Sequence, residues 1–264
     1  MALDFPNIDP VALSLGPLQI RWYALSYLAG ILIGWFVAVR LSRLSDARPN
    51  ESDIEDFVPW AVLGVILGGR LGYVLFYNLP FYLDNPAQLL QVWQGGMSFH
   101  GGASGVIIAV IAYAIAKRIN VLKFGDIIAV IAPIGLCFGR VANFINGELF
   151  GRVTDAPWGM VFPRGGDLPR HPSQLYEAVL EGALLFVILF MLYRIKAVRE
   201  RAGIISGLFL IGYGAARAFV ELFREPDAHI GLLGGVISMG QVLSLPMIVI
   251  GAAFILYAMK RKPV

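Results

Sequence analysis

The chain has 264 residues, of which 58% are hydrophobic and 15% charged, and its mean hydropathy is +0.71. A soluble domain carries roughly 25% charged residues and cannot hide this much apolar surface, which excludes the water-soluble, disordered and collagen-like classes and leaves a polytopic α-helical membrane protein. The net charge of +3 is too small to suggest a nucleic-acid partner, and one cysteine, Cys137, excludes a disulfide framework and a Cys-based zinc site. Continuous apolar runs, in place of alternation, exclude a membrane β-barrel.

Residues 1–21 hold Asp4, Pro6, Asp9 and Pro10 and no basic n-region, so they read as an exposed arm and not as a signal peptide. Apolar runs then predict seven transmembrane helices, at about 22–41, 57–79, 97–116, 124–142, 175–194, 203–222 and 236–258, each near the ~20 residues a bilayer requires. Residues 80–96, with Trp93 and no basic residue, read as a short amphipathic helix in the interface. Residues 143–174 are a polar, Gly/Pro-rich connection long enough to be functional. With no internal repeat, 1–264 reads as a single integral-membrane domain.

Basic residues orient the spans. Arg40, Arg43 and Arg48 follow the first span, Lys117, Arg118 and Lys123 the third, Arg194, Lys196, Arg199 and Arg201 the fifth, and Lys260, Arg261 and Lys262 the seventh. The opposite side has only Arg21, Arg152, Arg164, Arg170 and Arg224. The N-terminus is therefore expected outside, the C-terminus in the cytoplasm, and 143–174 on the extracytoplasmic side.

A charge at mid-bilayer costs ~2.5–3.5 kcal/mol on insertion scales, so ionisable residues inside spans are functional candidates. Tyr23 opens the first span, Arg70 lies in the outer half of the second, and His100 sits near the outer end of the third. Arg140 and Asn143 share a face at the outer end of the fourth, with Asn146 and Glu148 just beyond; His171 precedes the fifth; Tyr213, Arg217 and Glu221 share one face of the sixth. These groups reach one depth. Three buried arginines facing one cavity suggest an anionic ligand arriving within the lipid, and a phospholipid headgroup fits.

Structural readings stand beside these. Arg217 and Glu221 also read as an ion pair, Arg70 as a snorkelling or paired cation, and His100 as bonded to a backbone carbonyl. Glu177 and Glu181 read as capping and solvating the start of the fifth span. Asp126 reads as an N-terminal helix charge, Cys137 as a small buried hydrophobe, and the glycine pairs 68–69, 95–96, 101–102 and 234–235 as packing or turn positions. Gly102-Ala103-Ser104-Gly105 matches the GxSG of rhomboid proteases, but the histidines, His100, His171 and His229, include none inside a late span to serve as base. A packing motif is the simpler reading. A lipid or anion transporter built on the same arginines, and a purely structural scaffold, are the other functional readings.

The run Gly139-Arg140-Val141-Ala142-Asn143-Phe144-Ile145-Asn146-Gly147-Glu148-Leu149-Phe150-Gly151-Arg152 resembles the signature of the bacterial phosphatidylglycerol–prolipoprotein diacylglyceryl transferases. Arg21-Trp22-Tyr23, His100-Gly101-Gly102, His171-Pro172-Ser173-Gln174-Leu175-Tyr176-Glu177, and Tyr213-Gly214 with Arg217, Glu221 and Arg224-Glu225-Pro226-Asp227 agree in order and placement. One departure is Ala103-Ser104, where the family often has bulkier apolar residues. The resemblance implies a seven-helix, multi-pass enzyme of the bacterial cytoplasmic (inner) membrane. It would move the diacylglyceryl group of phosphatidylglycerol onto the lipobox cysteine in the signal peptide of a prolipoprotein and release glycerol phosphate, as the first step of lipoprotein biosynthesis. No cofactor and no metal are implied. Carry-over and arginine chemistry together give Arg140 and Arg217 the phosphate. His100, with an unperturbed pKa of ~6.5, is the candidate base, and Glu148, Glu221 and His171 are alternatives as base or orienter. Asn143, Asn146 and Gly151 are expected to shape the headgroup pocket, with Tyr23, Arg70 and Tyr213 among the substrate contacts.

Overall fold

The computed structural model describes residues 3–6, 8–16, 18–45, 47–226, 232–233 and 236–261. Asp227, His229, Gly234, Gly235 and Lys262 lie outside them. The chain divides into two compact units, residues 39–125 and residues 1–38 with 126–264. Its principal helices are α1 (Trp22–Ser42), α2 (Glu51–Tyr77), α3 (Leu79–Asp84), α4 (Phe99–Ala116), α5 (Val121–Ile145), α6 (Ser173–Arg194), α7 (Ile204–Val220) and α8 (Met239–Lys260). Among the described residues, six of these are long and apolar enough to cross a membrane, and α7, with 17 residues, is shorter. The fold is that of an all-α polytopic membrane protein.

Within the unit 39–125, α2 begins at Glu51 and not near 57. Asn50 and Asp53 form a reciprocal cap, each side chain accepting the other's backbone N–H at 3.0 and 2.9 Å. That satisfies two of the orphan donors at a helix start and carries the helix beyond its apolar run. Ser98 caps α4 by accepting from the Gly101 N–H at 3.2 Å. α2 and α4 pack through glycines at four-residue spacing, Gly64, Gly68 and Gly72 against Gly101 and Gly105. A Cβ on Gly64 would lie 2.7 Å from the Gly105 carbonyl oxygen, and one on Gly72 2.7 Å from the Gly101 Cα. The Gly102–Gly105 motif is thus part of a close helix crossing, and Ser104 is exposed. At the other end of the pair, Phe57, Tyr113 and Phe124 pack ring to ring at 4.8–5.5 Å.

Residues 80–96 are not one amphipathic helix. α3 is followed by two 3₁₀ turns, Pro86–Leu90 and Val92–Gln94, with Leu83, Leu90 and Trp93 largely exposed.

Within the other unit, small residues again set the approaches. A Cβ on Gly30 of α1 would sit 3.2 Å from the Gly135 Cα of α5, one on Gly182 of α6 2.7 Å from the Cys137 Cα of α5, and one on Gly207 of α7 2.7 Å from the Gly251 carbonyl oxygen of α8. Ser238 and Gln241 form a capping box at the start of α8. Asp126 is not a charge for its own helix. It is buried on α5 and accepts from the Gly203 N–H, the Ser206 N–H and the Ser206 hydroxyl, all at 2.7 Å, so it caps α7. The N-terminal arm does not stand free. Its first strand β1 (Leu3–Asp4) pairs with a strand at Met160–Val161, Phe5 packs on Phe144 and Phe162 at 5.3 and 5.2 Å, and Val11–Leu15 and Leu18–Arg21 form a hairpin.

The α2–α4 crossing predicts opposite outcomes for two neighbouring glycines. Gly105→Leu forces side-chain atoms into the Gly64 carbonyl and should destabilise the protein by about 1–3 kcal/mol or more, the usual cost of overpacking. Gly102→Ala, whose Cβ meets nothing closer than 3.6 Å, should melt with the wild type. Thermal unfolding in detergent, followed by circular dichroism, separates the two.

A buried arginine–glutamate cluster as candidate active site

The centre of the unit formed by 1–38 and 126–264 is a cluster of charges. Glu177 on α6 is fully buried. Its Oε2 lies 2.7 Å from Arg140 Nε of α5, and its Oε1 accepts from Arg217 Nη1 of α7 at 2.9 Å and from Arg224 Nη1 at 3.5 Å. Arg217 also pairs through Nη2 with Glu221, one turn on. Glu181 lies on the same helix as Glu177, also fully buried, with Arg217 and Arg140 at 3.8 and 4.0 Å. The stretch Ala178–Leu184 is wound as a π-helix, a local expansion common at functional sites. Gly240, in the first turn of α8, leaves the space that Glu221 occupies; any Cβ there would run into the carboxylate. Glu221 thus sits at the positive end of α8. Burial, followed by the nearby charge of Arg217, pushes the Arg224 guanidinium below its ordinary value.

Sequence reasoning missed Glu177 and Glu181, which do not solvate the start of a span but neutralise the arginines. The signal was their four-residue spacing, which puts two carboxylates on one face of an apolar helix where only cations compensate them. Gly240 carried no sequence signal.

Beside this cluster, Asn143 Nδ2 and Asn146 Nδ2 both donate to Glu148 Oε1, at 2.8 and 3.2 Å. The Glu148 carbonyl accepts from Gln174 Nε2 at 2.6 Å and the Leu149 carbonyl from the Ser173 hydroxyl at 3.1 Å, tying the signature loop to the start of α6. Gly147 and Leu149 at φ +63° and +57° make the turn. Gly151 is pressed against the backbone of His171 and Phe223: its N–H donates to the His171 carbonyl at 2.8 Å, and a Cβ would lie 2.7 Å from the His171 Cβ. It holds three chain segments together, a tighter duty than shaping a pocket. His171 Nδ1 is 3.1 Å from the Tyr176 hydroxyl, which accepts from Trp158 Nε1 at 2.7 Å. An indole N–H can only donate, so the tyrosine keeps its own proton for His171 Nδ1. Burial lowers the His171 pKa, which favours the neutral ring that accepts it. Tyr23 packs at a tilt against Tyr27 in the first turns of α1, ring centroids 5.2 Å apart, and Tyr213 lies one turn before Arg217.

Two expected site residues lie in the other unit. His100 is exposed in the first turn of α4, edge-on to Phe99. Arg70 is engaged by backbone carbonyls. Its Nε donates to the Leu89 carbonyl, Nη1 to Gly95 and Gly96, and Nη2 to Gln88 and Gln91, at 2.6–3.3 Å. All five guanidinium protons are engaged, so Arg70 organises the 86–96 turns. Of the three arginines expected to face one cavity, Arg140 and Arg217 meet at Glu177, where Arg224 joins them, and Arg70 lies in the other unit.

The family model of the prolipoprotein diacylglyceryl transferases matches residues 10–257. The chain is 56% identical to the phosphatidylglycerol–prolipoprotein diacylglyceryl transferase of Paramagnetospirillum magneticum, over 98% of this chain and 97% of that one. It is 57% identical to the protein of the same name from Azospirillum brasilense (99% and 98%) and 55% identical to that of Rhodospirillum rubrum (99% and 96%).

Removing Glu177 tests the cluster. Glu177→Ala removes the carboxylate nearest to three mostly enclosed guanidiniums and should destabilise the protein by up to about 3–5 kcal/mol, seen as a lower melting temperature and reduced accumulation in membranes. Melting at the wild-type temperature would mean that the arginines do not depend on this carboxylate.

Proposed function

We infer that the chain, which belongs to the prolipoprotein diacylglyceryl transferase family, transfers the diacylglyceryl group of phosphatidylglycerol to a prolipoprotein. The observation that carries the reading into chemistry is the pair of arginines, Arg140 and Arg217, facing buried carboxylates on apolar helices. The planar guanidinium fork matches phosphate oxygens as well as carboxylate oxygens, so a phosphodiester anion is a chemically suitable partner there. We assign both arginines to the headgroup and to the charge that develops on the leaving phosphate.

The acceptor is the thiol of the lipobox cysteine. Its free pKa of ~8.5 leaves it mostly protonated at neutral pH, so a base must take its proton. The thiolate then forms a carbon–sulfur bond at the glycerol carbon while the carbon–oxygen bond to phosphate breaks, and glycerol phosphate leaves. His100 is the base in this reading, with Glu148, Glu221 and His171 as orienting groups. The Trp158–Tyr176–His171 chain supports an orienting duty for His171, because its Nδ1 is occupied by the tyrosine proton. Asn143, Asn146 and Gly151 fix the loop that carries Glu148; Tyr23 and Tyr213 offer hydroxyls to the lipid or the peptide. Arg70 acts indirectly, through the turns it holds. Cys137 is no nucleophile, since the substrate brings its own.

The whole chain acts as one domain in the cytoplasmic membrane of a bacterium, with α7 as a crossing near the lower limit of ~17 residues. The excess of Arg and Lys after alternate spans supports an external N-terminus and a site toward the extracytoplasmic face. The transporter reading would need polar groups toward the cytoplasmic side, and Asp126, its candidate there, is engaged in capping α7.

Two experiments test this. Purified protein is incubated with radiolabelled phosphatidylglycerol and a lipobox peptide: wild type should label the peptide, and His100→Gln should turn over ~10²–10⁴-fold more slowly, with partial rescue at high pH as the thiol ionises unaided. Near-wild-type turnover by His100→Gln at neutral pH would move the base elsewhere, and an unlabelled peptide would remove the transferase reading. For the orientation, a cysteine replacing exposed Asp167 in a Cys137→Ala background should react with an impermeant thiol reagent from the extracytoplasmic side. Labelling only after the cytoplasmic face is opened would reverse the topology.

A further inference from the structure

The cluster contains a carboxylate that the mechanism does not use. Glu181 is fully buried, and neither of its side-chain oxygens accepts a hydrogen bond among the described residues. Unpaired buried polar atoms are rare and costly. Glu177 on its own helix is a like charge one turn away. Arg140 and Cys137 face it from α5, Tyr213 and Arg217 from α7, and Arg224 lies beyond α7. Close contact between Gly182 and Cys137 brings this turn of α6 against α5.

Counting charges gives the clue. Among the described residues, the ion pairs at the centre of the cluster join three cations, Arg140, Arg217 and Arg224, to three carboxylates, Glu177, Glu181 and Glu221. An anionic headgroup entering this set would add a negative charge beside carboxylates that are themselves buried, where it is poorly solvated. Glu177 and Glu221 are held by short contacts to arginine, at 2.7–2.9 Å for Glu177. Glu181 has only the more distant attraction of the same guanidiniums, which the phosphate would claim. Hydrogen bonds favour the charged form of a carboxylate; Glu181 lacks them, so it is the group that gives way.

We propose that Glu181 is a positioning residue that holds Arg140 and Arg217 while the site is empty and takes a proton from the aqueous phase when a phosphodiester anion binds between them. The proposal rests on the assignment of those arginines to the headgroup. The proton offsets the charge of the bound lipid, and its return to water when glycerol phosphate departs restores the resting ion pairs.

Calorimetry tests it. Detergent-solubilised wild type is titrated with phosphatidylglycerol in mixed micelles at neutral pH, in two buffers of different ionisation enthalpy, and the difference in heat counts the protons exchanged. Uptake of about one proton per bound lipid is expected, and Glu181→Gln should bind the lipid with that uptake lost. Wild-type binding without proton uptake overturns the proposal whatever the variant does, as does undiminished uptake in Glu181→Gln. Affinity that is unchanged in Arg140→Ala and Arg217→Ala would instead overturn the headgroup assignment, and the proposal with it; that failure is read in affinity and not in the proton count.

Discussion

A carboxylate with no exposure to water, Glu177, must have cations beside it, and this requirement organises the unit built from residues 1–38 and 126–264. The Glu177 carboxylate meets Arg140, Arg217 and Arg224 at once, so α6 must lie within side-chain reach of both α5 and α7. Helices with ordinary side chains at the contact stay ~8–10 Å apart. Gly182 against Cys137 and Gly212 against Leu185 remove the obstruction on α6 and α7. Gly207 and Gly251 do the same between α7 and α8, and Gly240 then admits Glu221. The small residues of these helices are the steric counterpart of the charges. Between apolar helices in lipid there is little hydrophobic drive to associate, so close van der Waals contact and ion pairing must supply the attraction.

The unit 39–125 uses the same glycine device but puts its buried arginine to another purpose. Arg70 is saturated by neutral carbonyls from residues 88–96. Carbonyls of a closed turn cannot leave without unmaking the turn, so this guanidinium has no donor to offer an incoming anion. Arg140 and Arg217 are held by carboxylate side chains, whose pairing closes no turn. The arginines of the two units thus differ in the exchangeability of their partners.

That distinction explains how much was legible in the sequence. Hydropathy marks every long helix, because a bilayer imposes ~20 apolar residues whatever the packing. The early start of α2 was written in Asn50 and Asp53, a capping signal that an apolar window ignores. The signature loop and the arginines of α5 and α7 stood out as ionisable groups in apolar runs. Arg70 stood out in the same way, and nothing in its neighbourhood tells that its partners come from backbone carbonyls 18–26 positions later. Asp126 sits near the beginning of its own helix and yet caps a helix that starts at Ile204. Both depend on tertiary contacts, where residue type names the chemistry but not the recipient.

Glu177 and Glu181 fall between these cases. Two carboxylates one turn apart near a helix start are the usual sign of a solvated first turn, favoured by the helix dipole. Here the turn is buried, so that the dipole and the solvent both give way to the arginines. The π-helical winding at Ala178–Leu184 begins just after Glu177 and contains Glu181. The two carboxylates meet the same cations unequally: Glu177 bonds Arg217 directly at 2.9 Å while Glu181 stays at 3.8 Å from it. In the cycle proposed for this site, that inequality leaves Glu177 to anchor the arginines and Glu181 to yield.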